Sequence, residues 1–204
     1  MIIITGATGF IASNLVNFLN KKKIYKLILV DEKKYLKINR NIKKTKFIKK
    51  LNKDQIFNFI KKNDKKIKCI FHLGANSSTA EKNFKKIMAN NFTYSKKIID
   101  LCINKNIKII YASSASIYGD KKKNIELEKF EKPKNYYAIS KYFLDKYARK
   151  VIKKNIDIKI IGLRYFNVFG PFESHKEEMT SMVYKFFHQI KKNKIIRVFE
   201  GSHG

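Results

Sequence analysis

A tyrosine and a lysine four residues apart, Tyr137 and Lys141, stand near the start of a stretch whose apolar spacing predicts a helix from Tyr136 to Lys154. Residues at i and i+4 share a helix face, so the ammonium can stand beside the phenol. A nearby cation favours the phenolate and draws a tyrosine pKa down toward the range useful for proton transfer. Upstream, Ser113-Ser114-Ala115-Ser116 follows the apolar run Ile107 to Ala112, and a serine hydroxyl at that strand end can bond the same substrate oxygen. In a chain this rich in lysine, Tyr-x-x-x-Lys also arises as an ordinary surface pair, so its company decides its meaning.

That company is Gly6-Ala7-Thr8-Gly9-Phe10-Ile11-Ala12, which follows the apolar residues Met1 to Ile4. Ile11, Leu15, Phe18 and Leu19 continue it at helical spacing. A strand, a glycine turn and a helix in that order make a phosphate site. Gly6 permits the tight turn, Gly9 removes a side chain where a pyrophosphate approaches, and Ala12 lets the helix pack close to the strand. The helix N-terminus supplies N–H groups and a partial positive charge. The spacing is Gly-x-x-Gly-x-x-Ala, not Gly-x-Gly-x-x-Gly, and a glycine turn can also merely end a strand. Asp31 adds to the pattern: it closes the second apolar strand, Leu27 to Val30, about 20 residues past the turn, where a carboxylate can accept adenosine ribose hydroxyls. Together these residues point to dinucleotide binding.

The elements that must position them alternate along the chain. A basic, irregular segment is expected from Glu32 to Lys50, a helix from Asp54 to Lys62, and a strand from Ile67 to Leu73. A long helix follows over Lys82 to Asn104, then the strand Ile107 to Ala112, the Tyr136 to Lys154 helix and a strand over Ile156 to Leu163. Glu177 to Lys192 reads as helical and Ile195 to Phe199 as extended. This order predicts an α/β protein with a parallel, doubly wound sheet and right-handed crossovers, whose ligands sit beyond the carboxyl ends of the strands.

At 204 residues the chain holds one well-buried domain with at most a small appendage. Lys and Arg number 46 against 16 Asp and Glu, a formal charge of +30. Clustered cations would suggest nucleic acid. Here the lysines spread over nearly every helix and loop alongside abundant Ile and Asn, so compositional drift is the reading and no specific nucleic-acid partner is expected. Cys69 and Cys102 lie in apolar runs and read as small buried hydrophobes in a reducing compartment. No apolar run is long enough to cross a bilayer, and Gly6 interrupts the first one. The chain is expected to be cytoplasmic, without signal peptide, membrane partner or metal site.

On these residues the sequence resembles the extended short-chain dehydrogenase/reductase family, the NAD(P)-dependent nucleotide-sugar epimerases and dehydratases. The resemblance is carried by Gly6-Ala7-Thr8-Gly9-Phe10-Ile11, His72-Leu73-Gly74-Ala75, Ser114-Ala115-Ser116-Ile117-Tyr118-Gly119, Tyr137 to Lys141, and Arg164-Tyr165-Phe166-Asn167-Val168-Phe169-Gly170-Pro171. It implies a Rossmann fold in which Ser114, Tyr137 and Lys141 form a catalytic triad while a bound nicotinamide takes and returns a hydride. Sugar 4,6-dehydratases of the family need an Asp-Glu pair where this chain has Ala115-Ser116, which favours an epimerase or simple reductase.

Within the family the sequence is most similar to the ADP-L-glycero-D-manno-heptose 6-epimerase branch. Gly74-Ala75-Asn76-Ser77-Ser78-Thr79, Asn90 to Lys96, Glu131-Lys132-Pro133, Gly170 to Lys176 and Phe199-Glu200-Gly201-Ser202 carry that similarity. It implies inversion at C6 for lipopolysaccharide core synthesis, with UDP-hexose 4-epimerisation as the alternative substrate reading. By the same resemblance Tyr137 and Lys176 are the two bases. Phe10, Ile11, Asp31, Glu32, Gly74, Ala75, Asn90, Tyr137, Lys141 and Val168 join Gly6 and Gly9 around the cofactor. Ser77, Ser114, Asn167, Phe199, Glu200, Gly201 and Ser202 touch the substrate. The cofactor is NADP or NAD, one per subunit: Asp31 repels a 2′-phosphate, Lys33, Lys34 and Lys37 offset it, and the branch leans to NADP.

The resemblance divides the chain into an NAD(P)-binding Rossmann domain over 1–166 and a partial substrate-binding region over 167–204, the start of a small, incomplete C-terminal domain. Three departures stand out. Ala12 replaces the usual third glycine, Glu178 and Lys185 occupy places where the branch has a serine and a histidine, and roughly the last third of a family member is absent. A chain truncated there is expected to keep its cofactor turn yet leave the substrate half open to water, which weakens catalysis and leaves a non-catalytic NAD(P)-binding remnant as a competing reading. Family members of this branch associate through the cofactor domain, so a homo-oligomer is possible, though the charge of +30 opposes self-association.

Overall fold

β1 (Ile2–Thr5) is apolar on both faces because it runs through the middle of the sheet. In the computed structural model, which describes residues 1–38, 41–79, 81–119, 127–154, 157, 159–196 and 198 (Glu177 and Glu178 by backbone alone), it pairs with β2 (Leu27–Asp31) on one side and β4 (Cys69–His72) on the other. β3 (Lys49–Asn52), β5 (Lys108–Ser114) and β6 (Ile160–Tyr165) complete a six-stranded sheet in the order β3-β2-β1-β4-β5-β6, every pairing parallel. The chain winds outward from β1 to β3 and returns to β4 on the opposite side. The order therefore reverses between β1 and β4, and a doubly wound sheet opens its ligand crevice at such a reversal.

Alternate residues of the strands feed two cores. On one face Leu27, Leu29 and Ile4 pack with Ala12, Val16 and Leu19 of α1 (Phe10–Lys21). On the other, Ile3, Ile28, Ile70 and Ile109 meet three helices: α3 (Ile56–Asn63), α5 (Tyr94–Asn104) and α6 (Tyr136–Lys154). Each fully buried Ile or Leu contributes roughly 1.5–3 kcal/mol by leaving water. Cys102 lies within this second core, and both it and Cys69 are free thiols.

The expected irregular segment from Glu32 to Lys50 is instead partly ordered: α2 (Lys33–Ile38) follows β2, and β3 adds to its edge. Neither element has an apolar pattern to read. α2 buries no side chain, and Lys49-Lys50-Leu51-Asn52 buries only Leu51, its lysines being the kind of residue that guards a sheet edge. The long helix is present, but α4 (Phe84–Met88) passes into α5 through a π-turn at Ala89–Thr93. β5 runs on to Ser114 and β6 to Tyr165, both past their apolar runs.

The chain divides into two compact units, Met1–Phe166 and Asn167–Gly204. In the second, a helical turn at Ser174–Met179 precedes α7 (Met182–Asn193), whose first turn is capped by the Ser181 hydroxyl accepting from the Tyr184 N–H at 3.1 Å. The Glu173 carboxylate takes N–H bonds from Gly170 at 3.0 Å and Ser181 at 2.7 Å, tying the Gly170 loop to that cap. Of the expected extended run from Ile195, Phe199 lies outside the described residues, and residues 195, 196 and 198 form no strand. Among the described residues no helix is long and apolar enough to cross a membrane.

A buried polar pin fixes the middle of the sheet. The His72 ring at the end of β4 is bonded through Nδ1 to the Thr5 hydroxyl and through Nε2 to the Ser95 hydroxyl of α5, each at 2.7 Å. Thr5 Oγ1 also accepts the Gly74 N–H at 3.1 Å. Burial, helped by the Lys141 charge, pushes the His72 pKa down to about 3. The folded state therefore holds the neutral ring, while the unfolded chain takes up a proton below about 6.5. The stability from this residue is complete above that pH and declines as pH falls toward 3, by at most about 1.4 kcal/mol per unit. Urea unfolding of the wild type and His72→Asn at pH 7, 6, 5 and 4 should show the difference between them shrinking as pH drops; a constant difference would contradict a neutral, buried His72.

Candidate active site

The loops after β1 and β4 meet backbone to backbone. Gly6 has φ of +64°, and a Cβ there would lie 2.5 Å from the Gly74 Cα. A Cβ on Gly74 would lie 2.9 Å from the Gly6 nitrogen, so neither position has room for a side chain. The Gly9 N–H donates to the Gly6 carbonyl at 2.9 Å and closes the turn. Gly9 then begins α1 without a side-chain cap, and the first turn of α1 holds no acidic residue. No acidic side chain of that turn therefore offsets the positive end of the helix dipole, the kind of terminus that favours an anion.

Asp31 holds this loop in place. Its Oδ2 accepts from both the Thr8 N–H at 3.0 Å and the Thr8 hydroxyl at 2.6 Å, while Oδ1 takes the Glu32 N–H at 2.9 Å. Beside it Lys53 Nζ bridges Glu32 at 3.1 Å and Asn90 of the π-turn at 3.4 Å. Lys34 also approaches Glu32, at 3.5 Å.

At the carboxyl end of β5, Ser114 stands beside the Tyr137 phenol and favours its charged form. Ser114 Oγ accepts from the Ser116 N–H at 3.2 Å, capping the turn that follows, and lies 2.9 Å from the Ser116 hydroxyl. Burial raises the Tyr137 pKa, with the Ser114 hydroxyl acting in the opposite direction. Lys141 lies on the same helix face, as its spacing requires, but its ammonium donates to the Ala112 carbonyl at 2.7 Å and stands 6.0 Å from the Tyr137 ring centroid. The expectation that Lys141 lowers the Tyr137 pKa is therefore corrected: desolvation dominates and leaves a neutral phenol, suited to donating a proton. Burial also pushes the Lys141 pKa down to about 8, against the opposing charge of Asp145.

The π-turn carries a further support. Buried Asn91 accepts the Asn76 N–H at 2.8 Å and donates to the Asn76 carbonyl at 2.9 Å and to Ser140 Oγ at 3.0 Å. Ser140 in turn donates to the Tyr137 carbonyl at 2.6 Å. One side chain thereby joins the loop after β4 to the turn of α6 that bears Tyr137. π-turns recur at functional sites, where the inserted residue re-aims side chains.

All strands being parallel, Gly6, Gly9, Phe10, Ile11, Asp31, Glu32, Gly74, Ala75, Ser77 and Ser114 share the carboxyl edge of the sheet. Tyr137, Lys141 and Asn90 are linked to that edge by the contacts above. Asn167, Val168 and Lys176 belong to the second unit, where burial lowers the Lys176 pKa and the Glu173 charge opposes it. Phe199, Glu200, Gly201 and Ser202 lie outside the described residues. Sequence reasoning gave no individual role to Thr8, Lys53, His72, Asn91, Asp145 or Arg164. Their signal was polar residues inside otherwise apolar elements, visible for His72 in IFHL and for Asp145 one turn after Lys141.

Known proteins resemble this chain in sequence and fold. ADP-L-glycero-D-manno-heptose-6-epimerase of Brachyspira hyodysenteriae is 43% identical over 209 residues, covering 99% of this chain and 65% of its own length. The Alkalilimnicola ehrlichii protein of the same name is 38% identical, covering 100% of this chain and 64% of itself. The crystal structure of the Helicobacter pylori ADP-L-glycero-D-manno-heptose-6-epimerase superposes with a TM-score of 0.81 at 28% identity, over 98% of this chain and 65% of that one. The chain thus spans somewhat under two thirds of the length of the curated relatives it matches. The family model described as NAD dependent epimerase/dehydratase family matches residues 2–203, and the chain belongs to that family.

Proposed function

We propose that this chain is an epimerase of a nucleotide-activated sugar, converting ADP-D-glycero-D-manno-heptose to its L-glycero epimer by inversion at C6, with NADP or NAD as cofactor. The observation that carries the reading is the convergence of Ser114, Tyr137 and buried Lys141, whose ammonium donates to the Ala112 carbonyl of the strand that bears Ser114, on the same sheet edge as the Gly6–Gly74 contact. The names of the relatives support the choice of sugar.

The residues at the switch point fit a dinucleotide. Gly6, Gly9 and Gly74 leave bare backbone where a Cβ would crowd main-chain atoms, beside a helix terminus of the kind that favours an anion. Gly6, Gly9, Phe10 and Ile11 would hold the pyrophosphate, and Asp31 and Glu32 the adenosine ribose. Gly74, Ala75, Asn90 and Val168 would line the remainder, with Tyr137 and Lys141 at the nicotinamide end. When bound, the nicotinamide supplies the hydride acceptor and donor.

The chain's own residues manage the protons. Tyr137, a neutral phenol at rest, gives its proton to the oxygen of the 6-keto sugar, while the C6 hydroxyl proton is taken on the opposite face. Ser114 bonds the same oxygen, and the nearby Lys141 ammonium stabilises negative charge as it develops. Inversion needs a second proton carrier, and Lys176 is proposed for it on the resemblance of Gly170 to Lys176 to the family pattern. Ser77, Asn167 and the Phe199 to Ser202 segment are proposed to contact the sugar nucleotide. The free thiols of Cys69 and Cys102 suit a reducing compartment and support the proposal of a cytoplasmic reaction that would feed lipopolysaccharide core synthesis.

Tyr137→Phe should lower turnover roughly 100- to 10,000-fold while leaving NADPH binding, read by fluorescence titration, within about twofold. Unchanged turnover would remove Tyr137 from the chemistry. Asp31→Asn keeps an acceptor for Thr8 but removes the charge facing a 2′-phosphate. It should shift the preference for NADPH over NADH by about tenfold toward NADPH, and an unshifted ratio would place Asp31 away from the ribose.

A further inference from the structure

Alongside the Ser114, Tyr137 and Lys141 group runs a row of charges that the proposed reaction does not use. Arg149 of α6 bonds both oxygens of Glu131, each at 2.9 Å. Glu131 also accepts from Arg164 at the end of β6. Arg164 Nε donates to Asp145 Oδ2 at 3.1 Å, and its Nη1 donates to the Tyr118 hydroxyl at 2.8 Å. Asp145 completes its shell with the hydroxyls of Tyr111 at 2.9 Å and Ser113 at 2.8 Å. The Glu131 and Asp145 side chains are 0% and 6% exposed, so each carboxylate depends on these donors.

The inner end of the row faces the reacting group. Asp145 lies four residues after Lys141 on the same face of α6, and it grips Ser113, the neighbour of Ser114. Lys141 is 3% exposed and donates to an uncharged carbonyl. Among the described residues, the other neighbours of this ammonium bring no negative charge: His72 on β4 is neutral, Tyr137 is a phenol, Ser113 and Ser114 beside the Ala112 carbonyl are hydroxyls, and the Arg164 cation on β6 is held by Asp145 and Glu131. Asp145 is the carboxylate whose charge acts on the Lys141 ammonium.

Building on the reading that Ser114, Tyr137 and Lys141 do the chemistry, we propose that Asp145 is the positioning residue of this site. Its carboxylate fixes the Ser113–Ser114 strand end against α6 and is the counter-charge that keeps buried Lys141 protonated. Burial drives Lys141 toward the neutral amine, and Asp145 opposes it. Removing that charge leaves desolvation unopposed, so the ammonium gives up its proton at lower pH.

Nitrogen-15 NMR of the lysine ammonium groups tests this on the protein without substrate, with the Lys141 signal identified by its loss in Lys141→Arg. Asp145→Asn should move the Lys141 midpoint down by roughly one pH unit or more, and Asp145→Glu should restore most of the shift. Circular dichroism melts report whether each variant is folded. Should Asp145→Asn fail to fold, the charge-matched pair Asp145→Asn with Arg164→Gln leaves Arg149 and Glu131 matched and carries the same test. An unmoved midpoint in a folded variant overturns the proposal. A shifted midpoint in a protein that shows no turnover would support the role of Asp145 while removing the assigned reaction.

Discussion

The contact between the Gly6 and Gly74 backbones is the constraint on which the rest of the site depends. Two parallel strands leave the sheet next to each other at the point where its order reverses, and their loops touch with no space for a side chain. That contact brings the loop feeding α1 and the loop leading toward Asn76 to one spot. His72 and Thr5 hold it from below, since Thr5 Oγ1 takes the Gly74 N–H and His72 fixes Thr5. Asp31 holds it from the side through Thr8. A phosphate-accepting surface made from backbone needs such bracing, because a loop free to move would lose the orientation of its N–H groups.

The second centre, Ser114 and Tyr137, is braced by different means. Here the supports are side chains: Asn91 with Ser140 on one side, and Asp145 with Arg164 on the other. Asn91, Asp145 and Arg164 each have several partners, as burial demands. The chain has 16 acidic residues against 46 basic ones, yet Asp31, Glu131, Asp145 and Glu173 each take multiple donors at a loop or strand end. The lysine excess is carried elsewhere, on helix surfaces and edges.

Much of this architecture was legible because it is written locally. Ile2 to Thr5, Leu27 to Asp31 and the strand around Ile109 declare themselves by β-branched runs, and the helix Tyr136–Lys154 by its spacing. The glycine turn and Tyr137–Lys141 are likewise short-range patterns. β3 was not legible, because it is defined by backbone pairing to β2 and buries only Leu51. The bonds joining Thr8 to Asp31, Lys53 to Asn90 and Asp145 to Tyr111 depend on strand register and helix placement, which no local window contains. The i+4 rule put Lys141 on the right face but could not say that its ammonium would select the Ala112 carbonyl over the phenol.

Backbone cradle and tyrosine centre together serve one proposed reaction on one sugar. Proton NMR of ADP-D-glycero-D-manno-heptose incubated with the protein and NADP, then NAD, reads the configuration at C6 directly. Conversion toward the L-glycero epimer without net consumption of cofactor is the expected result. Retained cofactor binding with C6 unchanged would contradict it and leave a dinucleotide-binding protein whose tyrosine centre acts on another sugar or on none.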